Sequence, residues 1–196
     1  NGTLYNIQTG NPVCPLKRGG VTLYSGRYTY RGYVWDKYYP ESFHFDLVPN
    51  EAYNNYIACT HIVMDGKPVK KPVYNIAQCG KRGRTAIGTK IVNGQRRICL
   101  YASKDGSSAK RTPEQLAQLL AGYGWKDAVM LDGGGSSTMS VLVPGQSAPS
   151  TVNRPSDGKA RSCATFLLFV TKDQGDGNNR RLVLKEDGLV VLAGSS

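Results

Sequence analysis

The sequence predicts a single α+β (mixed α/β) domain, a mostly antiparallel β-sheet core flanked by few helices. Three observations predict it. Two turn dipeptides, Asp65-Gly66 and Asn93-Gly94, each lie between short runs rich in β-branched residues, the pattern of tight hairpins joining antiparallel strands. Only Pro113 to Tyr123 carries a convincing helical start and stop. The 196 residues suffice for one sizeable core and do not require two.

Taken in order, Asn1 to about Val48 is rich in Gly, Tyr and Pro, with alternating stretches such as Val21-Thr22-Leu23-Tyr24, and reads as strands and loops. Val63 to Val69 reads as a hairpin about Asp65-Gly66. Ala86 to Val92 and Arg96 to Tyr101 read as the strands of a second, about Asn93-Gly94. Thr112 caps the helix, Pro113 fits its first turn, Gln115 completes a Thr-x-x-Gln box, and Gly124 ends it. Leu116, Leu119, Leu120 and Tyr123 fall three and four apart, so one face packs on a core. Asp127 to Leu131 reads as a buried strand that delivers Asp132 at its carboxyl end, where αβ architectures place ligand-binding groups. Arg161 to Val170 ends in the apolar run Ala164 to Val170, which reads as a central strand or buried segment. These elements assign residues 1–172 to the main domain, the polar, glycine-rich 173–181 to a linker-like loop, and 182–196 to a C-terminal hairpin about Asp187-Gly188.

The formal net charge of +11 favours partners rich in phosphate or carboxylate. Its carriers are dispersed, mostly as pairs such as Lys17-Arg18, Lys70-Lys71, Lys81-Arg82, Arg96-Arg97, Lys110-Arg111 and Arg180-Arg181; a solvated basic surface and a polyanion track fit them equally. No apolar run approaches the ~20 residues of a membrane span. Nucleic acid is disfavoured as a partner, because no RNP-like or zinc pattern accompanies the tyrosines Tyr24, Tyr28, Tyr30, Tyr33 and Tyr38. The five cysteines lack the C-x-x-C spacing of a zinc site. Cys99 and Cys163 sit in apolar runs, whereas Cys14, Cys59 and Cys79 leave room for one disulfide in an oxidising compartment. No metal or other cofactor is called for, although Ca²⁺ or Mg²⁺ bound by Asp and carbonyl oxygens would leave no signature. The chain opens abruptly on Asn1-Gly2-Thr3, as a processed or excised domain would.

The strongest chemical signal is Leu131-Asp132-Gly133-Gly134-Gly135-Ser136-Ser137-Thr138-Met139. Consecutive glycines are costly to order, so they imply unusual φ angles or close approach. Without side chains in the way, loop N–H groups can converge on an anionic oxygen. Ser136, Ser137 and Thr138 add hydroxyls, and Asp132 a carboxylate. A tight turn capped by serines is the plain alternative. The loop is neither a Walker A motif nor a nucleophile elbow, lacking the Lys of one and the Gly-x-Ser-x-Gly of the other. His44 and His61 stand in no ligand or triad spacing and read as structural.

Arg84-Thr85-Ala86-Ile87-Gly88, the helix with Leu116 and Leu119-Leu120, Ala128 to Met139, Asn153-Arg154-Pro155 and Arg161 together resemble the phosphodiester glycosidase family, which has bacterial and phage members. The blocks match over roughly Ile62 to Val170. Asn1-Gly2 is similar to the start of the family's Asn-Gly-Gly-aromatic block, with Thr3 in place of the second Gly, and family strands that would precede this block are expected to be missing. The resemblance implies a mixed α/β or α+β fold and hydrolysis of the bond between an anomeric carbon and a phosphodiester. It implies Asp132, Arg84 and Arg161 as catalytic residues, the arginines clamping phosphate. Asn1, Gly2, Thr85, Gly133, Gly134, Gly135, Ser136, Ser137, Thr138 and Asn153 would shape the substrate site. Asp105 and Asp157 are secondary carboxylate candidates and more simply turn residues. The expected partner is a sugar phosphodiester, with an anionic cell-wall polymer fitting the basic charge, in an extracellular or cell-envelope setting or on a phage protein. The expected state is a monomer or weak homo-oligomer. The alternative is a non-catalytic carbohydrate- or polyanion-binding module on the same fold.

Overall fold

The computed structural model describes residues 1–26, 30–36, 39–46, 52–74, 78–103, 108–143, 145–153, 158–169, 182–184 and 189–192. Its strands are β1 (Leu16–Arg18), β2 (Val21–Tyr24), β3 (Arg31–Asp36), β4 (Tyr39–Asp46), β5 (Asn55–Met64), β6 (Lys67–Pro68), β7 (Thr85–Val92), β8 (Gln95–Ala102), β9 (Asp127–Met130), β10 (Ser140–Val141), β11 (Ser150–Thr151), β12 (Leu182–Leu184) and β13 (Leu189–Leu192). The helix is α1 (Pro113–Gly122). An 11-stranded sheet runs β12-β13-β8-β7-β9-β5-β1-β2, with β3, β4 and β6 joined to it beside β5. Each described strand pair is antiparallel. The chain is a strand-rich α+β domain, as the sequence predicts.

Local chemistry sets the clearest elements. Asp65 and Gly66 take φ of 49° and 76° between β5 and β6, and Asn93 and Gly94 take 51° and 75° between β7 and β8, the twist that suits two-residue hairpins. The Thr112 hydroxyl accepts from Gln115 N at 3.2 Å while Gln115 Oε1 accepts from Thr112 N at 3.1 Å, closing the capping box. At the other end, Lys90 Nζ donates to Tyr123 O at 2.6 Å, a cation where helix carbonyls lack partners.

Strand alternation then builds two cores. Ala86, Ala128 and Met130 face one cluster with Ile62, Trp125 and the Leu116–Leu120 stripe of α1. Ile87 and Val129 face the other, with Tyr33, Phe43, Ile57, Cys14 and Cys59. A polar bridge crosses the second core: Tyr33 Oη donates to Asp127 Oδ1, and Thr89 Oγ1 donates to Asp127 Oδ2 at 2.8 Å. Thr89 and Asp127 are register partners on β7 and β9.

The apolar run after Arg161 departs from expectation. Within 161–169 no strand forms, and Phe166, Leu168 and Phe169 are 54%, 82% and 42% exposed. The segment lies extended beside the amino-terminal residues, held by the Thr165 hydroxyl donating to Thr3 O at 3.4 Å. Leu167 alone of its large residues packs on a core, because a single extended segment without a ladder buries only one side. Cys163, expected as a small buried residue, is accordingly half-buried. At the carboxyl end, β12 and β13 pair with each other and β13 with β8. The predicted linker 173–181 and turn Asp187-Gly188 lie outside the described residues.

Candidate active site

Asp132 follows β9 directly and its main chain is fixed from three sides. Its N–H donates to Gly2 O at 3.1 Å, and its carbonyl accepts from Asn1 Nδ2 at 2.7 Å and Thr85 Oγ1 at 2.5 Å. Leu131 N also donates to Thr85 O at 2.9 Å. Asn1, Gly2 and Thr85, expected at the substrate, thus act through these atoms on the placement of Asp132. The amino-terminal segment joins the sheet end here, 131 residues away in sequence from the carboxylate it positions.

The Asp132 side chain is buried, and burial raises its pKa above the ordinary carboxylate value; the Ser136 side chain, the Gly133 N–H and Arg161 oppose that shift. The Gly133 N–H reaches Asp132 Oδ1 at 2.9 Å. The outcome is a carboxyl that holds its proton more tightly than in water while remaining ringed by donors and positive charge.

Each loop glycine has its own physical cause. A Cβ on Gly133 would stand 2.7 Å from Gly83 O. Gly134 has φ of +61°, a left-handed conformation that strains other residues. A Cβ on Gly135 would stand 1.9 Å from Arg161 Nη2, so the Arg161 guanidinium lies directly against the loop. The expected convergence of loop amides on an anion is not what this turn displays. Gly134 N donates to Gly83 O, Ser136 N to Gly133 O and Ser137 N to Gly134 O, at 2.8, 3.2 and 3.0 Å, and Gly133 N is taken by Asp132 itself. A 3-10 turn over Gly134–Ser136 consumes those donors. Hydroxyls are left in their place: Ser137 Oγ and Thr138 Oγ1 are buried without a hydrogen-bond partner among the described residues.

Asn153 clamps the strand that leaves the loop, its Nδ2 donating to Ser137 O and its Oδ1 accepting from Met139 N, both at 2.7 Å. Both ends of the Asn153 amide thus have backbone partners.

The two arginines expected as a clamp part company. Arg84 is 1% exposed, and its Nε donates to Arg111 O at 2.8 Å while Nη2 donates to Gln78 O and Gly80 O at 2.9 and 2.5 Å. Its guanidinium is therefore held by the protein's own carbonyls, bracing the 78–84 and 111 segments under the glycine loop. Arg161 is half-buried, lies against Gly135, and is near enough for its charge to favour the ionised Asp132 carboxylate. A residue that motif reading passed over is Arg82: exposed, with Cδ 3.9 Å from where a Gly134 Cβ would be. The charge run Lys81-Arg82-Gly83-Arg84 is the signal that leads to it.

His61 is buried and stacked on Phe45 at 4.2 Å, its pKa lowered first by desolvation; His44 meets Tyr53 edge-on. Both are packing residues in this arrangement. Asp105, Asp157, Arg154 and Pro155 lie outside the described residues. Among the described residues no three His, Cys, Asp or Glu side chains gather as metal ligands, and no helix is long and apolar enough to cross a membrane.

Comparison with known proteins bears on the fold and the family. Among solved structures, the chain is similar to the zebrafish N-acetylglucosamine-1-phosphodiester alpha-N-acetylglucosaminidase catalytic domain auto-inhibited by its pro-peptide, with a TM-score of 0.57 and 19% identity. The match covers 83% of this chain and 59% of that one, so this chain spans less than two thirds of that protein's length; at such identity the likeness concerns the fold. No curated protein matches. Residues 2–170 match the family described as phosphodiester glycosidase, a span that contains both cores, the glycine loop and Arg161, and the chain belongs to that family.

Proposed function

We propose that this chain hydrolyses the bond between a sugar's anomeric carbon and a phosphodiester, releasing free sugar and a phosphomonoester. The observation that carries the reading is Arg161, whose guanidinium shares the glycine floor with the buried Asp132 carboxylate. A sugar-1-phosphate linkage needs such a pair. As the C1–O bond breaks, its electron pair stays with phosphate, where a guanidinium offsets the growing charge. The anomeric carbon becomes oxocarbenium-like and is met by the carboxylate, either directly or through a water it deprotonates. Because phosphate leaves readily as an anion, electrostatic stabilisation outweighs proton donation.

Asp132 is the catalytic carboxylate in this reading and Arg161 the phosphate ligand, with Arg84 positioning the loop from beneath. The exposed Arg82 beside Gly134, preceded in sequence by the exposed Lys81, supports a further negatively charged group beyond the phosphate. A GlcNAc-1-phosphodiester or a phosphate-linked cell-wall glycopolymer has that chemistry, which fits an extracellular or cell-envelope setting.

The test is incubation with UDP-GlcNAc and with a GlcNAc-1-phosphodiester, measuring free GlcNAc. Release should fall by ~100-fold or more in folded Asp132→Asn protein, the size of a general-base or nucleophile contribution. The anomeric configuration of the first-formed sugar, read by NMR, tells direct attack from water activation. Saturable binding of sugar phosphodiesters with no product from any of them would replace hydrolysis by a binding module.

A further inference from the structure

Cys14 and Cys59 are both fully buried in the same core, and their thiols are near enough to perturb each other's ionisation. Strand register explains why they meet. β1 and β5 are antiparallel, with Leu16 opposite Ile57 and Lys17 opposite Tyr56. The ladder continues ahead of β1, where Ala58 N donates to Pro15 O at 3.2 Å. Two residues back from Leu16 and two onward from Ile57, the same register sets Cys14 opposite Cys59, on one face of the sheet.

The kind of pairing matters. Pro15 and Ala58 form a hydrogen-bonded pair in which proline lacks the return donor. Alternation then makes Cys14 and Cys59 a non-hydrogen-bonded pair, the closer type, with Cα atoms ~4.5 Å apart. A disulfide spans Cα separations of ~4.4–6.8 Å, so closure requires little movement. Other partners are less suitable: Cys99 belongs to the opposite core, and Cys79 is exposed.

We propose that Cys14 and Cys59 form a cross-strand disulfide when the chain folds in the presence of a disulfide oxidant, tethering the amino-terminal segment to β5. One thiolate attacks the oxidant's disulfide sulfur and releases one thiol; the second attacks the mixed disulfide and releases the other. Two protons and two electrons pass to the oxidant. Because both sulfurs are sealed in the core, the bond closes during folding, and small reductants reach it only when the region opens.

The tether lies one layer beneath the candidate site. Thr3 donates from Oγ1 to Ala58 O at 2.6 Å and its side chain also meets the Cys14 thiol. Val13 N donates to Leu4 O at 2.8 Å, and Gly2 O accepts the Asp132 N–H. Fixing Cys14 to β5 therefore fixes the residues that hold Asp132 from the amino-terminal side, whatever reaction that carboxylate performs.

The experiment is refolding with oxidised and reduced glutathione, then alkylation under denaturing conditions and peptide mapping by mass spectrometry. The expected result is a Cys14–Cys59 cross-linked peptide in protein two hydrogens lighter than the fully reduced chain, with Cys99 alkylated. The oxidised form should melt roughly 5–10 °C above the reduced one, as a cross-link closing a loop of this length would give. That difference should vanish in Cys14→Ala and Cys59→Ala variants alike. Alkylation of both cysteines after oxidative refolding, or a cross-link of either to Cys79, overturns the proposal. Mapping of the wild-type chain decides the matter even where a variant fails to fold.

Discussion

The glycine loop is gripped from two sides, and the grips differ in kind. From beneath, Gly83 O and Arg84 meet Gly133 and Gly134 through buried groups bonded to the protein's own backbone. From the other side, Arg161 rests on Gly135 from an extended, partly exposed segment. An arginine sits on each side, but burial divides their roles. A guanidinium enclosed by carbonyls organises a turn, whereas a half-buried one near a carboxylate can meet an incoming anion. Family blocks identify the neighbourhood; only the geometry separates floor from reaction face.

The widest separation should come from Arg84→Ala. It leaves the Gln78, Gly80 and Arg111 carbonyls without their buried donor, an effect of about 3–5 kcal/mol, and denaturant unfolding should show it. Arg84→Lys should recover little, since an ammonium cannot fork to the same acceptors. Arg161→Ala should do the reverse, lowering turnover of a sugar phosphodiester by ~100-fold with a melting temperature close to wild type. A large loss of stability there would erase the distinction between the two sides.

The glycines sharpen the contrast one atom at a time. Gly134→Ala places a side chain at φ of +61° and should cost about 1–2 kcal/mol of stability. Gly135→Ala meets only the end of the Arg161 side chain, which can swing away; turnover should fall ~10-fold with stability nearly kept. Last and smallest is a gain. Asp132 has its pKa raised by burial, so the folded state binds its proton more tightly than the unfolded chain does. Stability is then lost as pH rises from the unfolded carboxylate range through the folded pKa, and the loss is complete above it. Asp132→Asn should therefore melt slightly higher than wild type at neutral pH, with the difference closing in acid. The acid limb of the activity profile should likewise lie above that of an ordinary carboxylate.

What the sequence made legible was what has a local cause. The Thr112–Gln115 box, the positive-φ pairs Asp65-Gly66 and Asn93-Gly94, and the strand into Asp132 all follow from neighbours within a few residues. The glycine run was legible as a demand for unusual backbone. Its reasons were not, because two of them lie far off in sequence, at Gly83 and Arg161. The apolar run after Ala164 misled for the same reason: its composition suits a central strand, but its place beside Gly2 and Thr3 offers no ladder. Arg84 and Arg161 had equal standing as motif residues because burial is a property of the assembled fold.

The Tyr33–Asp127–Thr89 bridge has a bearing on how this carboxylate comes to its position at all. Slipping β9 by one residue against β7 would turn Asp127 to the opposite face, leave it without either hydroxyl donor, and set a bare charge among apolar side chains. Misaligned assemblies are thereby penalised before the loop forms. Five residues downstream, Asp132 inherits the alignment that this checkpoint enforces, so the accuracy of the reaction centre is decided at the far end of the strand that carries it.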